Sequence, residues 1–218
     1  MPKWSENDIL AELRPFTSEK NREGMARFGI ASETALGVPI PALRGLAKRI
    51  GRDHALAGRL WARDVHELKL LACFMDEPAK VTEKQMDRWT AGFYSWDVCD
   101  QCCSNLWDKT SFAWKKPFEW SKSEKEFVRR AGFVMMACLA VHDKKADDKD
   151  FIKFFPLIRK YSTDERNFVR KAVNWALRQI GKRSPMLRKE AIKVARQIGS
   201  IDSKSARWIA SDALRELV

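Results

Sequence analysis

Two segments of the chain repeat one pattern 41 residues apart: FVRRAGFVMMACLA begins at Phe127, and FVRKAVNWALRQIG begins at Phe168. Signals of the capping-box type, at which a helix is expected to start, recur at similar intervals of 41 and 39 residues. These signals are Thr82-x-x-Gln85, Ser123-x-x-Glu126 and Ser162-x-x-Glu165. A period near 40 residues is typical of stacked helical pairs, in which each pair buries its apolar faces against its neighbours.

The rest of the chain agrees with a helical fold. It contains no run of alternating apolar and polar residues and no Asn-Gly or Asp-Gly turn of the kind that joins strands. We therefore predict an all-α protein, a HEAT-like helical-repeat solenoid (an α-α superhelix) with a basic concave surface. We expect residues 1–218 to form a single domain of this kind, in which the helices of about residues 1–50 have the weakest pattern.

The positive charge of the chain is concentrated in its second half. The formal net charge is +12, yet residues 1–100 hold 15 basic and 15 acidic side chains, whereas residues 101–218 hold 26 and 14. Residues 151–200 alone hold 13 basic and 3 acidic side chains. A solvated basic face would account for scattered lysines, but so uneven a distribution favours a polyanionic partner, and nucleic acid above all.

Composition also predicts the compartment. No apolar stretch approaches the roughly 18 residues that span a bilayer, and the first residues lack the pattern of a secretory signal. Five cysteines without a framework spacing favour a reducing environment over disulfides. We expect a cytoplasmic protein, associated with the nucleoid if its source is bacterial, with no membrane partner.

The segment FYSWDVCDQCCSN, residues 93–105, raises the question of a metal site. On a helical wheel its apolar stripe contains Val98, Cys99, Cys102 and Leu106, so the cysteines are expected to be small buried side chains. Trp96 and Asp100 fall on the opposite face, one turn apart, with Cys103 and Trp107 nearby. His54, His66 and His142 are isolated, and no second ligand pair has metal spacing. We expect no metal and no cofactor.

The helix that begins near Phe168 carries a second aromatic residue outside its apolar stripe. Val169, Ala172, Val173, Ala176, Leu177 and Ile180 form the stripe, and Trp175 lies about 130° from its centre. Lys171 and Arg178 flank Trp175 on that outer face. Trp175 either packs against a neighbouring repeat or meets a ligand, and the two cations favour a ligand that contains phosphate.

Arg130 stands in an otherwise apolar helix and needs an anionic partner, either a carboxylate or a phosphate. Asp100, one repeat earlier, is one candidate partner. A plain structural salt bridge between the two residues would also satisfy the guanidinium.

Taken in order, SWDVCD, FVRRA, FVRKAVNWALRQ and RSPMLRKEAIKVARQIG resemble the AlkD-type DNA alkylation repair glycosylases, from about Met25 to the carboxyl end. These HEAT-like repeat proteins excise alkylated purines. The resemblance implies that Asp100 is the catalytic carboxylate and that Trp96 and Trp175 cradle the backbone of the damaged nucleotide. It also implies that Arg130 contacts the backbone phosphate near the lesion.

Further residues match positions at which the family contacts DNA. Arg178 and Arg44 match phosphate-contacting positions, and Lys171 belongs to the same basic face. Phe28 stands where the family usually has tyrosine, so the ring is kept but the hydroxyl is lost. The segment around Ile40 also lacks a polar residue expected there. The resemblance implies that the base stays stacked in the duplex, and the sequence contains no evident insertion that would form a base pocket.

The function that the resemblance implies is hydrolysis of the N-glycosidic bond of cationic alkylpurines, such as 3-methyladenine and 7-methylguanine, in duplex DNA. A base that already carries positive charge leaves without protonation, so a carboxylate and indole faces suffice to stabilise the sugar cation. No lysine is singled out for Schiff-base chemistry, and we expect a monomer. Two alternatives remain: a non-catalytic nucleic-acid-binding HEAT-repeat module, and a scaffold whose basic half binds an acidic protein.

Overall fold

The computed structural model describes residues 4–218, and all of its regular structure within that range is helical. Fourteen α-helices follow one another: α1 (Glu6–Leu13), α2 (Glu19–Arg27), α3 (Ile40–Ile50), α4 (His54–Trp61), α5 (His66–Met75), α6 (Glu83–Ala91), α7 (Trp96–Asn105), α8 (Lys116–Trp120), α9 (Glu126–His142), α10 (Asp148–Ile152), α11 (Phe155–Lys160), α12 (Asn167–Arg183), α13 (Pro185–Gly199) and α14 (Lys204–Leu217). Short 3₁₀ turns cover Arg14–Phe16, Pro78–Lys80, Trp107–Lys109 and Tyr161–Thr163. The predicted all-α class is confirmed.

The helices belong to two compact units, Met1–Thr110 and Ser111–Val218. In the first unit, α5 packs against α3, α4 and α7. In the second unit, α9 packs against α8 and α12, and α12 also packs against α13 and α14. None of the helices in residues 4–218 is long and apolar enough to cross a membrane.

The two segments that repeat in the sequence form a pair of equivalent helices. Both α9 and α12 have 17 residues, and they pack together in the second unit. Phe127 and Phe168, which occupy the same position of the repeated pattern, lie against each other with ring centroids 5.6 Å apart. The apolar stripe predicted for α12 is confirmed, since all six of its residues are 0% exposed.

The predicted helix starts are correct at one of three sites. Thr82 caps α6, and its side chain accepts a hydrogen bond from the backbone N–H of Gln85 at 3.1 Å. The other two predictions were wrong, because α9 and α12 begin after Lys125 and Arg166, whose side chains do not cap them. Ser123 instead accepts from the N–H of Lys125, and Ser162 donates to the carbonyl of Arg159. Both serines form hydrogen bonds within the short turns that precede α9 and α12, so neither caps a helix.

The central helices of the two units, α5 and α9, are each buried on more than one face. In α9 every residue from Arg129 to Ala140 is buried, and in α5 the buried set includes His66 and Glu67 at its first turn. Gly132 allows α8 to approach α9 closely. A Cβ at this position would lie 2.5 Å from the backbone nitrogen of Ser121.

This close approach can be tested with a pair of alanine substitutions. Alanine normally stabilises a helix by up to about 1 kcal/mol relative to glycine. At Gly58 on α4 an added Cβ meets nothing within 4 Å. Gly58→Ala should therefore raise the free energy of unfolding by up to about 1 kcal/mol. Gly132→Ala should instead lower stability by about 2 kcal/mol, because backbone atoms of α8 must shift. Urea denaturation of both variants checks the prediction, and a stabilised Gly132→Ala variant would contradict the packing.

Candidate functional site

Trp96 and Asp100 lie on α7 as predicted, one turn apart and both partly exposed. The indole Nε1 of Trp96 donates a hydrogen bond to the backbone carbonyl oxygen of Phe28 at 3.1 Å. This bond fixes the orientation of the indole ring. It also ties α7 to the turn after α2, where Gly29 adopts a φ of 69° that favours glycine. The ring of Phe28 is 76% exposed at this turn.

The cysteines of α7 are part of the core. Val98, Cys99, Cys102 and Leu106 are all 0% exposed, which confirms the predicted stripe. Cys103 and Trp107 were expected near the outer face, and that expectation was wrong, because both side chains are fully buried. Trp107 packs against Trp89 of α6, with ring centroids 5.5 Å apart. Neighbouring residues therefore cover α7 on more than one side. The partly exposed face that contains Trp96 and Asp100 is narrower than the helical wheel predicted.

Arg44 lies beside the carboxyl-terminal half of α7. Its Nη1 donates to Oδ1 of Asn105 and its Nη2 to Oε1 of Gln101, both at 3.1 Å. The guanidinium also stacks over Phe74, 4.5 Å from the ring centroid. The side-chain amides of Asn105 and Gln101 are neutral, so they orient Arg44 without cancelling its charge. An exposed cation therefore lies next to the turn of α7 that contains Asp100.

A buried polar network supports the first turn of α7. The two nitrogens of His66 lie 2.9 Å from the hydroxyl of Tyr94 and 2.8 Å from Oδ2 of Asp97. Ser95 donates to the other oxygen of Asp97 at 2.5 Å. Burial alone would raise the pKa of Asp97, but the bond and charge of His66, together with the bonds from Ser95 and the backbone of Val98, lower the pKa below its ordinary value. Burial raises the pKa of Tyr94.

Sequence reasoning missed this network, since His66 was classed as an isolated histidine. His66 and Asp97 are 31 residues apart, and no local pattern links them. The sequence contained only a weak indication of this network. Two polar residues, His66 and Glu67, stand at the start of a helix that is otherwise almost wholly apolar. Such a pair needs buried partners.

In the second unit Arg130 is buried, with only 6% of its surface exposed. Its Nη1 donates to the backbone carbonyl oxygen of Phe168, at the start of α12, at 2.5 Å. The neighbouring Arg129 bonds to Asp164 at 2.6 Å and to Glu124 at 2.9 Å. The prediction for Arg130 considered only a carboxylate or a phosphate, and a carbonyl oxygen is a further partner that sequence does not reveal.

Lys171, Trp175 and Arg178 share the outer face of α12 as predicted. Lys171 is exposed, whereas Trp175 and Arg178 are partly buried. The guanidinium of Arg178 forms ion pairs with Asp212 and Glu216 of α14, at 2.9 Å each. A phosphate at this position would share Arg178 with two carboxylates.

The first unit also contains a cavity of about 560 Å³, bounded by α2, the segment from Gly37 to Ile40, α5 and α7. The sequence contained no insertion that would predict such a cavity. It forms without one, because α2 spans the space and none of its residues is buried.

The buried pair under α7 generates a stability prediction. Asp97→Asn leaves His66 without its carboxylate and should lower the free energy of unfolding by about 3 kcal/mol near neutral pH. A carboxylate with a lowered pKa stabilises the fold above its unfolded value, near 3.8, and this contribution disappears as the pH falls through the lowered pKa. The gap between wild type and Asp97→Asn in thermal melts should therefore narrow below about pH 4. A gap that is constant from pH 7 to pH 3 would contradict the lowered pKa of Asp97.

The chain as a whole is similar to known proteins. No curated protein sequence matches the chain significantly. Among solved structures, the chain is similar to a member of a family "related to the HEAT-like repeat DNA glycosylases with affinity for branched DNA structures". The identity is 19% and the TM-score 0.82, over 98% of this chain and 96% of the other. The HEAT-like repeat fold predicted from the sequence is thereby confirmed.

A designed armadillo repeat protein in complex with the peptide (KR)4 is also similar, at 14% identity and a TM-score of 0.45, over 98% of this chain and 95% of the other. The family model described as "DNA alkylation repair enzyme" matches residues 9–217, which is almost the whole chain. The chain therefore belongs to the DNA alkylation repair enzyme family.

Proposed function

We propose that this protein is a monofunctional DNA glycosylase that hydrolyses the N-glycosidic bond of cationic alkylated purines, 3-methyladenine and 7-methylguanine among them, in duplex DNA. The observation that carries the proposal is the pairing of Trp96 with Asp100 on the partly exposed part of α7. A surface that only bound phosphate would gain nothing from Asp100, because the carboxylate repels the ligand. Family membership supports the same task.

In the proposed reaction the alkylated base leaves with the electron pair of the C1′–N bond, which neutralises its positive charge. The sugar acquires oxocarbenium character, and a water molecule adds to C1′. Asp100 stabilises the sugar cation by its charge and accepts a hydrogen bond from the attacking water, whose proton is then lost to the carboxylate or to solvent.

The indole rings have a complementary role. The electron-rich face of Trp96 attracts a cationic sugar, and the bond from Trp96 to the carbonyl of Phe28 spares the ring from reorganising during the reaction. Trp175 of the second unit is proposed to contact the DNA through its partly exposed ring. Arg130, Arg44, Lys171 and Arg178 are proposed to contact backbone phosphates, while Phe28 contacts the nucleotide through its exposed ring.

The alternative is a module that binds DNA without cleaving it. The structural relative with affinity for branched DNA favours this reading, although its 19% identity supports only a shared fold. Both proposals require a basic surface that binds DNA. They differ only in whether Asp100 takes part in cleaving the glycosidic bond.

The catalytic role of Asp100 is tested with Asp100→Asn. This variant keeps the size and position of the side chain but removes its charge. We expect release of 7-methylguanine from methylated duplex DNA to fall by about 100-fold or more, with duplex affinity unchanged or slightly increased. Single-turnover base release measured by chromatography, alongside fluorescence anisotropy for binding, separates the two effects. Equal excision rates for Asp100→Asn and wild type would overturn the assignment.

The phosphate role of Arg178 is tested against a matched arginine. Arg178→Ala should weaken duplex binding and reduce the slope of log affinity against log salt by about 1. Arg63→Ala is the control, because Arg63 also pairs with a carboxylate, Glu6, at 2.8 Å but lies outside the proposed surface. Anisotropy titrations between low and high salt measure both slopes. Identical slopes for the two variants would remove Arg178 from the DNA contact.

A further inference from the structure

The basic residues of α12 and those of α13 differ in how far their charge is neutralised. On α12, Arg178 pairs with Asp212 and Glu216, and Lys182 also pairs with Glu216. The cations of α13 form no ion pair with any residue of 4–218. These four exposed side chains are Arg188, Lys189, Lys193 and Arg196. Much of the free positive charge of the second unit therefore lies on α13.

Three of these cations, Lys189, Lys193 and Arg196, form a row along one side of α13 that we call the α13 stripe. Their spacings of four and three residues keep them within about 60° of one another around the helix, and they extend over about 10 Å of its length. Arg159 of α11 continues the stripe, because it borders the same surface groove as Lys193. Glu190, the one acidic residue of α13, also borders this groove. A surface that serves only solubility mixes the two signs of charge more evenly.

The α13 stripe faces away from α12. The buried side of α13 packs against α12 and α14. At the contact with α12 the two helices come close, since a Cβ built on Gly181 would lie 2.9 Å from the Cβ of Ala191. Trp175 lies about 120° away from Gly181 around α12, on the outer face that also carries the exposed Lys171. The stripe and the outer face of α12 are therefore on different sides of the second unit.

The composition of the α13 stripe indicates what kind of partner fits it. Lysine and arginine are the usual contacts of backbone phosphates, where binding depends mainly on charge. Lysine is depleted from protein–protein interfaces, which favours phosphates over an acidic protein. A helix that binds a membrane inserts its apolar face into the bilayer, whereas the apolar face of α13 is already buried within the second unit. The stripe therefore fits a nucleic-acid backbone best.

We propose that the α13 stripe, together with Arg159, binds the phosphate backbone of a second segment of duplex DNA while the outer face of α12 contacts the first. The persistence length of DNA is about 150 base pairs, so a short duplex on one face cannot bend round to the other. One protein molecule therefore holds two short duplexes, or two separated stretches of a longer DNA molecule. This inference goes beyond the proposed function, since it requires that the protein binds DNA but not that it cleaves a glycosidic bond.

The test counts the short duplexes that one protein molecule binds. Sedimentation of the wild-type protein at low salt, with an excess of a short unmodified duplex, should give a complex with the mass of one protein and two duplexes. The double variant with Lys189→Gln and Lys193→Gln removes two exposed charges and should fold normally. It should bind the second duplex at least about tenfold more weakly, and the slope of log affinity against log salt for this second step should fall by about 2. Binding of the first duplex should not change.

The matched control is the double variant with Lys84→Gln and Arg88→Gln. These two exposed cations are also four residues apart on one helix, α6 of the first unit, and neither forms an ion pair with a residue of the described chain. The control variant removes the same net charge and should bind both duplexes as the wild type does. An equal loss of the second duplex in the control would mean that overall charge holds it, and the proposal would be overturned.

Other outcomes would also overturn the second DNA site. These are a wild-type protein that never binds more than one duplex, and a second binding step that is unchanged in the variant of Lys189 and Lys193. Binding of phosphatidylserine vesicles that this variant loses, with no second duplex bound by wild type, would assign the stripe to a membrane surface instead. Base release is measured separately. Two bound duplexes without release of 7-methylguanine would overturn the proposed function alone, and release with only one bound duplex would overturn the second DNA site alone.

Discussion

Buried charges that must find partners organise both units of this protein. A helix buried on nearly all sides cannot leave a charged group unsatisfied, because an isolated charge in an apolar interior costs several kcal/mol. Glu67 at the start of α5 binds three backbone N–H groups of the segment before α3, and His66 binds Asp97 of α7. Arg129 and Arg130 on α9 similarly bind Asp164 and the carbonyl of Phe168. These bonds hold in place the helices that carry the candidate site.

For the proposed chemistry, the outcome is that several of the proposed side chains are held by hydrogen bonds or ion pairs within their own unit. Asp97 and its partners support the turn of α7 that presents Trp96, and the indole is bonded in turn to the carbonyl of Phe28. Arg44 is oriented by two neutral amides that leave its charge intact. Arg178 of the second unit is held by ion pairs with two carboxylates, Asp212 and Glu216.

Local periodicity predicted the helices and much of the candidate site, because burial along one helix follows a repeat of 3.6 residues. The stripe of α12 and the partly exposed positions of Trp96 and Asp100 emerged in this way. Properties that depend on neighbouring helices could not be predicted from this periodicity. Trp107 is covered by Trp89 of α6, and Arg130 donates a hydrogen bond to the carbonyl oxygen of Phe168 in α12. The cavity under α2 arises from a helix that spans space without filling it, and no residue pattern encodes that arrangement.

The central claim is that this family member breaks a glycosidic bond and does more than hold DNA. The most direct measurement is single-turnover release of 7-methylguanine from methylated duplex DNA by the wild-type protein, at a protein concentration that saturates the duplex. We expect release of the free base, with abasic sites left in the strand. Saturated, salt-sensitive binding of the same duplex without any released base would rule out the proposed glycosylase and would make the protein a DNA-binding module.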